Sequence, residues 1–149
     1  MKLRTSLLAV GTAAILGTTG AFVLPAAASV HTSTTTLRFE TVVTASVVYS
    51  PKTQVVDEKD IRAGKTIGFD ELYVKRTSLT DPVCSANSTL DIVGGLMYGT
   101  FSHNLKTGKI TNGKITGGTG AYAGAKGTFT SKSLNKTFTK WSVVITYSR

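Results

Sequence analysis

From residue 37 onward, apolar and polar side chains alternate with a period of two, in runs separated by short turn signals. In 37–50, Leu37, Phe39, Thr41, Val43, Ala45, Val47 and Tyr49 share one face, Arg38 and Glu40 take the other, and Pro51 stops the run. Similar runs, rich in β-branched and aromatic residues, cover 54–61, 66–78, 83–93, 96–103, 109–116, 127–132 and 137–147. In the last of these, Trp141, Val143, Ile145 and Tyr147 alternate on one face. Turn residues separate the runs: Ala63-Gly64, Asp81-Pro82, Gly94-Gly95 and Thr107-Gly108. No helical period follows residue 36. Eight short strands joined by tight turns predict an all-β sandwich or barrel, of which an eight-stranded antiparallel barrel would remove exposed strand edges.

One connection departs from this rhythm. Between the sixth and seventh runs lies Ile115-Thr-Gly-Gly-Thr-Gly-Ala-Tyr-Ala-Gly-Ala-Lys-Gly-Thr128, with Gly117, Gly118, Gly120, Gly124 and Gly127 and the single aromatic Tyr122. Glycine so placed marks a bend, a bulge or a close backbone approach, so the stretch is expected to form a crowded barrel corner. A phosphate-cradling loop needs Gly-Lys-Ser/Thr and a following helix, but Lys126 is followed by Gly127 and a strand-like run. In a dinucleotide fingerprint starting at Gly118 and Gly120, Gly124 falls one residue late.

These residues carry a resemblance. The Gly-Gly-Thr-Gly-x-Tyr pattern, continued through Ala125 and Gly127, is similar to the signature of the allene oxide cyclase-like barrels, which the plant dirigent proteins share. A weaker likeness runs through Val55 to Ile61, Ile67-Gly68, Cys84 and Gly94-Gly95. The resemblance implies an eight-stranded barrel with a hydrophobic cavity that holds a reactive intermediate in one shape. It also implies a homo-oligomer, since plant relatives form trimers. Bacterial relatives often carry a cysteine pair where this chain has Cys84 alone.

The start of the chain adds a location. Lys2 and Arg4 precede an uncharged apolar run that ends in Ala26-Ala27-Ala28, the order of a secretory signal peptide with a small-residue cleavage site. The expectation is a signal peptide over 1–28, a flexible leader over 29–36, and a single domain over 37–149, secreted and free of the membrane once cleaved. The formal net charge is +9, and cleavage would remove two of those charges. The lysines are scattered with no run longer than Lys75-Arg76, so a solubilising surface is expected rather than a specific nucleic-acid site. A lone cysteine closes no internal disulfide, and Cys84 is expected to be a small buried apolar residue.

The candidate chemistry is sparse. His31 and His103 are far apart, and no spacing of Cys, His and acids suits zinc or calcium, so no metal or cofactor is expected. No Gly-x-Ser-x-Gly elbow accompanies His103, which reads as a loop-end histidine. Glu40, Asp57, Asp60 and Asp70 all fall on expected strands. An acid pointing into a barrel must be paired or have a raised pKa and can then work as an acid or base, whereas an outward acid is simply solvated. The resemblance points to two of them as catalytic candidates. Asp57, in Val55-Val56-Asp57, looks like the second-strand aspartate of dirigent proteins, with one extra residue before Ile61. Glu40 takes the place of the first-strand glutamate that holds a water. Asp60, of opposite parity to Asp57, would then face outward, unless a bulge exchanges the two. Tyr49, Tyr73 and Tyr98 are candidate ligand-binding phenols.

Two functions lead, and a third, a cationic module that adheres to acidic polymers, would show as salt-dependent retention on a polyanion. The first is a secreted barrel that binds a small hydrophobic molecule and guides its cyclisation or stereoselective coupling, an isomerase- or dirigent-like role. The second is a non-catalytic binding or interaction barrel. A wide cavity with two or more inward polar groups favours the first; a cavity filled by Trp141, Phe129 and Met97 favours the second.

Overall fold

The computed structural model describes residues 33–149. The expected signal peptide, its cleavage site and the first part of the leader lie outside the described residues. Eight strands form a closed antiparallel barrel in chain order: β1 (Thr34–Ser50), β2 (Thr53–Arg62), β3 (Lys65–Arg76), β4 (Val83–Ile92), β5 (Gly95–Asn104), β6 (Lys109–Gly118), β7 (Lys126–Ser133) and β8 (Lys140–Ser148). Each strand pairs with the next, and β1 pairs with β8 to close the sheet. β1 starts at Thr34, inside the expected leader, because Thr34, Thr35 and Thr36 pair with Ser148, Tyr147 and Thr146 of β8. β8 starts three residues later than the alternation suggests, since residues 134–139 form a hydrogen-bonded loop.

An up-and-down barrel has two ends. The β2–β3, β4–β5 and β6–β7 connections share one end; the β1–β2, β3–β4, β5–β6 and β7–β8 connections share the other. The glycine-rich stretch closes the first end. There a 3-10 turn, Gly120–Tyr122, folds back on the β4–β5 turn: Ala121 N donates to Gly94 O at 2.7 Å and Thr119 N to Leu96 O at 2.8 Å. Gly120 has φ +56, and a Cβ on it would strike Gly94 O, so both its conformation and its space call for glycine. A Cβ on Gly118 would lie 2.5 Å from Leu96 O. Gly124 has φ +76 in open space, Gly127 runs against the β8 backbone, and Gly117 is unconstrained. Tyr122 is buried, donates its hydroxyl to Val93 O at 3.0 Å, and meets Tyr147 edge to face at 5.9 Å. Phe39, Leu90, Ile92, Met97, Ile115 and Ile145 pack above it as the core.

Bulges decide which side chains face in. On β1, Phe39, Thr41 and Val43 point inward; a register shift at Thr44 then moves the inward phase to Ser46. On β2 the inward phase is Gln54, Val56, Glu58 and Asp60, leaving Val55, Asp57, Lys59 and Ile61 outside or at the rim. The Ala63-Gly64 turn, with φ 51 and 76, has the twist a two-residue hairpin requires. Such a turn alone would set Glu58 opposite Phe69. An extra residue on β3 at Ile67 shifts the register so that Glu58 faces Asp70 instead.

Candidate functional site

Above the core, toward the end away from the glycine corner, the barrel encloses a cavity of about 360 Å³. Its walls are largely apolar, with Val56, Leu72, Val74, Phe101, Phe129, Trp141 and Val143 among them. Into this apolar space project a few polar groups: Glu58, Asp70 and Ser88 on adjacent strands, and His103 and Ser131 on β5 and β7.

The carboxyls form one layer. Glu58 and Asp70 are register partners on β2 and β3, and Ser88 of β4 donates its hydroxyl to Asp70 Oδ1 at 2.9 Å. Asp60 lies one inward position nearer the closed end, opposite Thr41 of β1. Asp60 has no exposed surface, and neither of its carboxyl oxygens has a hydrogen-bond partner. Loss of water disfavours the charged form of each acid, and crowding adds repulsion. Burial pushes Asp60 up to about 7, with the Glu58 charge adding to the shift. Burial also raises Glu58; the nearby Thr41 hydroxyl offsets this only in part, as its Oγ1 lies outside hydrogen-bonding geometry. Asp70 keeps some surface toward the cavity, yet its carboxyl is held well above the ordinary range by burial and then by Glu58, with the Ser88 hydroxyl opposing. The three lie close enough that protonation of one affects the others, and burial favours the neutral form of each. Among the described residues, no group of three or more His, Cys, Asp or Glu is arranged to hold a metal ion.

The opposite wall is aromatic. His103 is buried edge-on to Trp141, with ring centroids 5.0 Å apart, and its Nε2 has no partner. Burial lowers its pKa, which favours the neutral imidazole. Cys84, its register partner, is buried, lines the cavity, and donates its thiol weakly to His103 O at 3.4 Å. Carboxyls whose burial favours the protonated form and an imidazole whose burial favours the neutral form therefore border the same apolar space.

The residues singled out in the sequence are placed differently. Asp57 lies on the exposed outer face, and Asp60 is the buried one, because β2 places Glu58 and Asp60 opposite the inward Val43 and Thr41 of β1, the reverse of the expected facing. Glu40 also faces outward, paired with Lys140 Nζ at 2.8 Å and nearly half exposed, so it does not reach the cavity. None of Tyr49, Tyr73 and Tyr98 lines the cavity. Tyr49 and Tyr73 are 70% and 44% exposed, and Tyr98 alternates outward between the buried Met97 and Gly99. Glu58, which is not among the sequence candidates, and His103, expected as a loop-end residue, both line the cavity. The alternation of Asp70, Leu72 and Val74 is the sequence signal that places Asp70 on the inner face.

No family model and no curated protein matches the chain. Solved structures match it in fold. A pterocarpan synthase dirigent protein superposes with a TM-score of 0.64 at 19% identity, covering 86% of this chain and 98% of its own. Pyocyanin demethylase gives 0.60 at 17%, covering 73% and 98%. A Diels–Alderase from Streptomyces koyangensis gives 0.58 at 11%, covering 82% and 71%. The barrel is thus of the dirigent and allene oxide cyclase-like type in its fold.

Proposed function

We propose that the cavity binds a small, largely apolar molecule bearing a hydrogen-bond acceptor and guides its cyclisation or coupling, with Glu58 and Asp70 as proton or hydrogen-bond donors. The observation that carries this reading is the Glu58–Asp70 register pair, two carboxyls on the inner face of an apolar cavity of about 360 Å³ whose burial favours the protonated form. Closing a ring requires a flexible molecule to be held in one conformation, and enclosure supplies that by orientation. A neutral acid donating to a developing oxyanion or leaving group in a water-poor space adds electrostatic help. Barrels of the same fold include a pterocarpan synthase dirigent protein and Diels–Alderases, whose names denote ring-forming reactions.

The corresponding experiment exposes the protein to a metabolite extract of its source, identifies retained compounds by mass spectrometry, and follows their conversion. The reading predicts that Glu58→Gln and Asp70→Asn still retain the compound but convert it about 10²-fold or more slowly. Unchanged conversion in both would reduce the protein to a passive binding barrel. The Lys2/Arg4 start and Ala26-Ala27-Ala28 support export. An intact mass of the extracellular protein lacking about 28 residues tests that part separately.

A further inference from the structure

We propose that Phe138, seated over the open end of the cavity on Trp141, selects flat aromatic molecules as the ligands this cavity admits. The inference rests on reading the cavity as a ligand site and narrows the class of ligand.

Phe138 has φ +56, a left-handed conformation that a bulky side chain adopts only at a cost and that Gly or Asn takes far more easily. The surrounding loop holds it there. Asn135 Oδ1 accepts from Thr139 N at 3.0 Å, Asn135 Nδ2 donates to Thr139 Oγ1 at 2.8 Å, and Trp141 Nε1 donates to Phe138 O at 3.0 Å. The ring stacks on Trp141 with centroids 5.9 Å apart and planes 26° apart. Its edge fits a notch at Gly108, where a Cβ would lie 2.5 Å from Phe138 Cε1. The core does not require this ring, since Phe138 remains 37% exposed while lining the cavity. A strained backbone, fixed from several sides to hold a large ring half in solvent at a cavity mouth, points to a binding role.

The geometry also indicates what binds. From Phe138 the aromatic surface continues to Trp141 and then to His103, whose ring meets the indole edge-on at 5.0 Å. Flat rings gain from offset or edge-to-face contact with such a surface; a puckered saturated skeleton of the same carbon count does not. A flat molecule entering along this wall would present its far edge to Glu58 and Asp70, which line the same cavity.

The test uses two probes with one skeleton and one hydroxyl, 2-naphthol and decahydro-2-naphthol. Binding is measured by calorimetry on the wild-type protein, Phe138→Asn and Phe138→Leu, with urea unfolding run in parallel. The wild type is expected to prefer 2-naphthol by about tenfold. Both variants are expected to fall to within about twofold, and Phe138→Asn to unfold at the same or a higher urea concentration because Asn tolerates the backbone. A preference that survives in both variants, or equal binding of the two probes by the wild type, overturns the selectivity and leaves the cavity reading standing. Failure of the wild type to bind either probe overturns both.

Discussion

At the glycine-corner end, Thr119, Ala121, Ala125 and the Tyr122 hydroxyl all find hydrogen-bond partners, and the backbones approach too closely for any side chain at Gly120. In the other half, the barrel leaves open space, tolerates a Phe in a left-handed conformation, and buries His103 Nε2 with no partner, while Asp60 and Thr41, just below the cavity, also bury polar atoms without partners. Unpaired buried polar groups cost stability, and a fold keeps them where another requirement outweighs that cost. The comparison teaches that this barrel closes itself at one end and spends stability toward the other, where the proposed ligand cavity lies. The two halves therefore should respond to mutation in opposite ways.

The largest effect is expected at the closed end. Gly120→Val combines backbone strain with a collision against Gly94 and should cost about 4 kcal/mol or more in urea unfolding. An unchanged midpoint would show that the corner yields freely and would end the contrast.

The next effect has the opposite sign. Asp60 prefers its proton in the folded state, with a pKa of about 7 against an ordinary 3.8. The folded state therefore binds more protons than the unfolded one between those values, so this contribution is fully present below about pH 4 and is lost as pH rises toward 7. Asp60→Asn removes that loss and should make the protein more stable than wild type at pH 8, by on the order of 2–4 kcal/mol. Thermal midpoints from pH 4 to 8 should decline in the wild type more steeply than in the variant. Parallel curves would mean that Asp60 is not the group responsible.

The outer face should be nearly silent. Breaking the exposed Glu40–Lys140 pair with Glu40→Gln, or changing the exposed Asp57 to Asn, should alter stability by no more than about 0.5 kcal/mol and leave compound retention intact. A loss of retention in either variant would place binding outside the barrel.

These positions also show how far the sequence could be read. The eight strands were legible because β-branched and aromatic residues alternate between clear turn signals. The closed end was legible because no other stretch concentrates so many glycines. The face assignment of β2 was not. Its inner phase, Gln54, Val56, Glu58 and Asp60, is the more polar one, whereas Val55 and Ile61 belong to the other phase, so hydrophobic patterning points the wrong way. Sequence rules tend to fail in this manner where function opposes packing. The Ile67 shift that brings Glu58 opposite Asp70 has no composition signal, and Tyr49 and Tyr73 were aromatic enough to suggest a cavity while lying outside it. The 134–139 loop hid within a continuing alternation of Thr137, Thr139 and Trp141; only the Asn135 clamp reveals that the strand has not yet begun.

The most direct test is to locate a small flat probe on the protein. With 2-naphthol added to methyl-labelled protein, intermolecular nuclear Overhauser contacts should appear at the cavity methyls of Leu72, Val74 and Val143 and be absent at the outward Val47 and Val55. Contacts confined to Val47 and Val55, or none at the cavity methyls at saturating probe, would contradict the assignment of the barrel interior as the binding site.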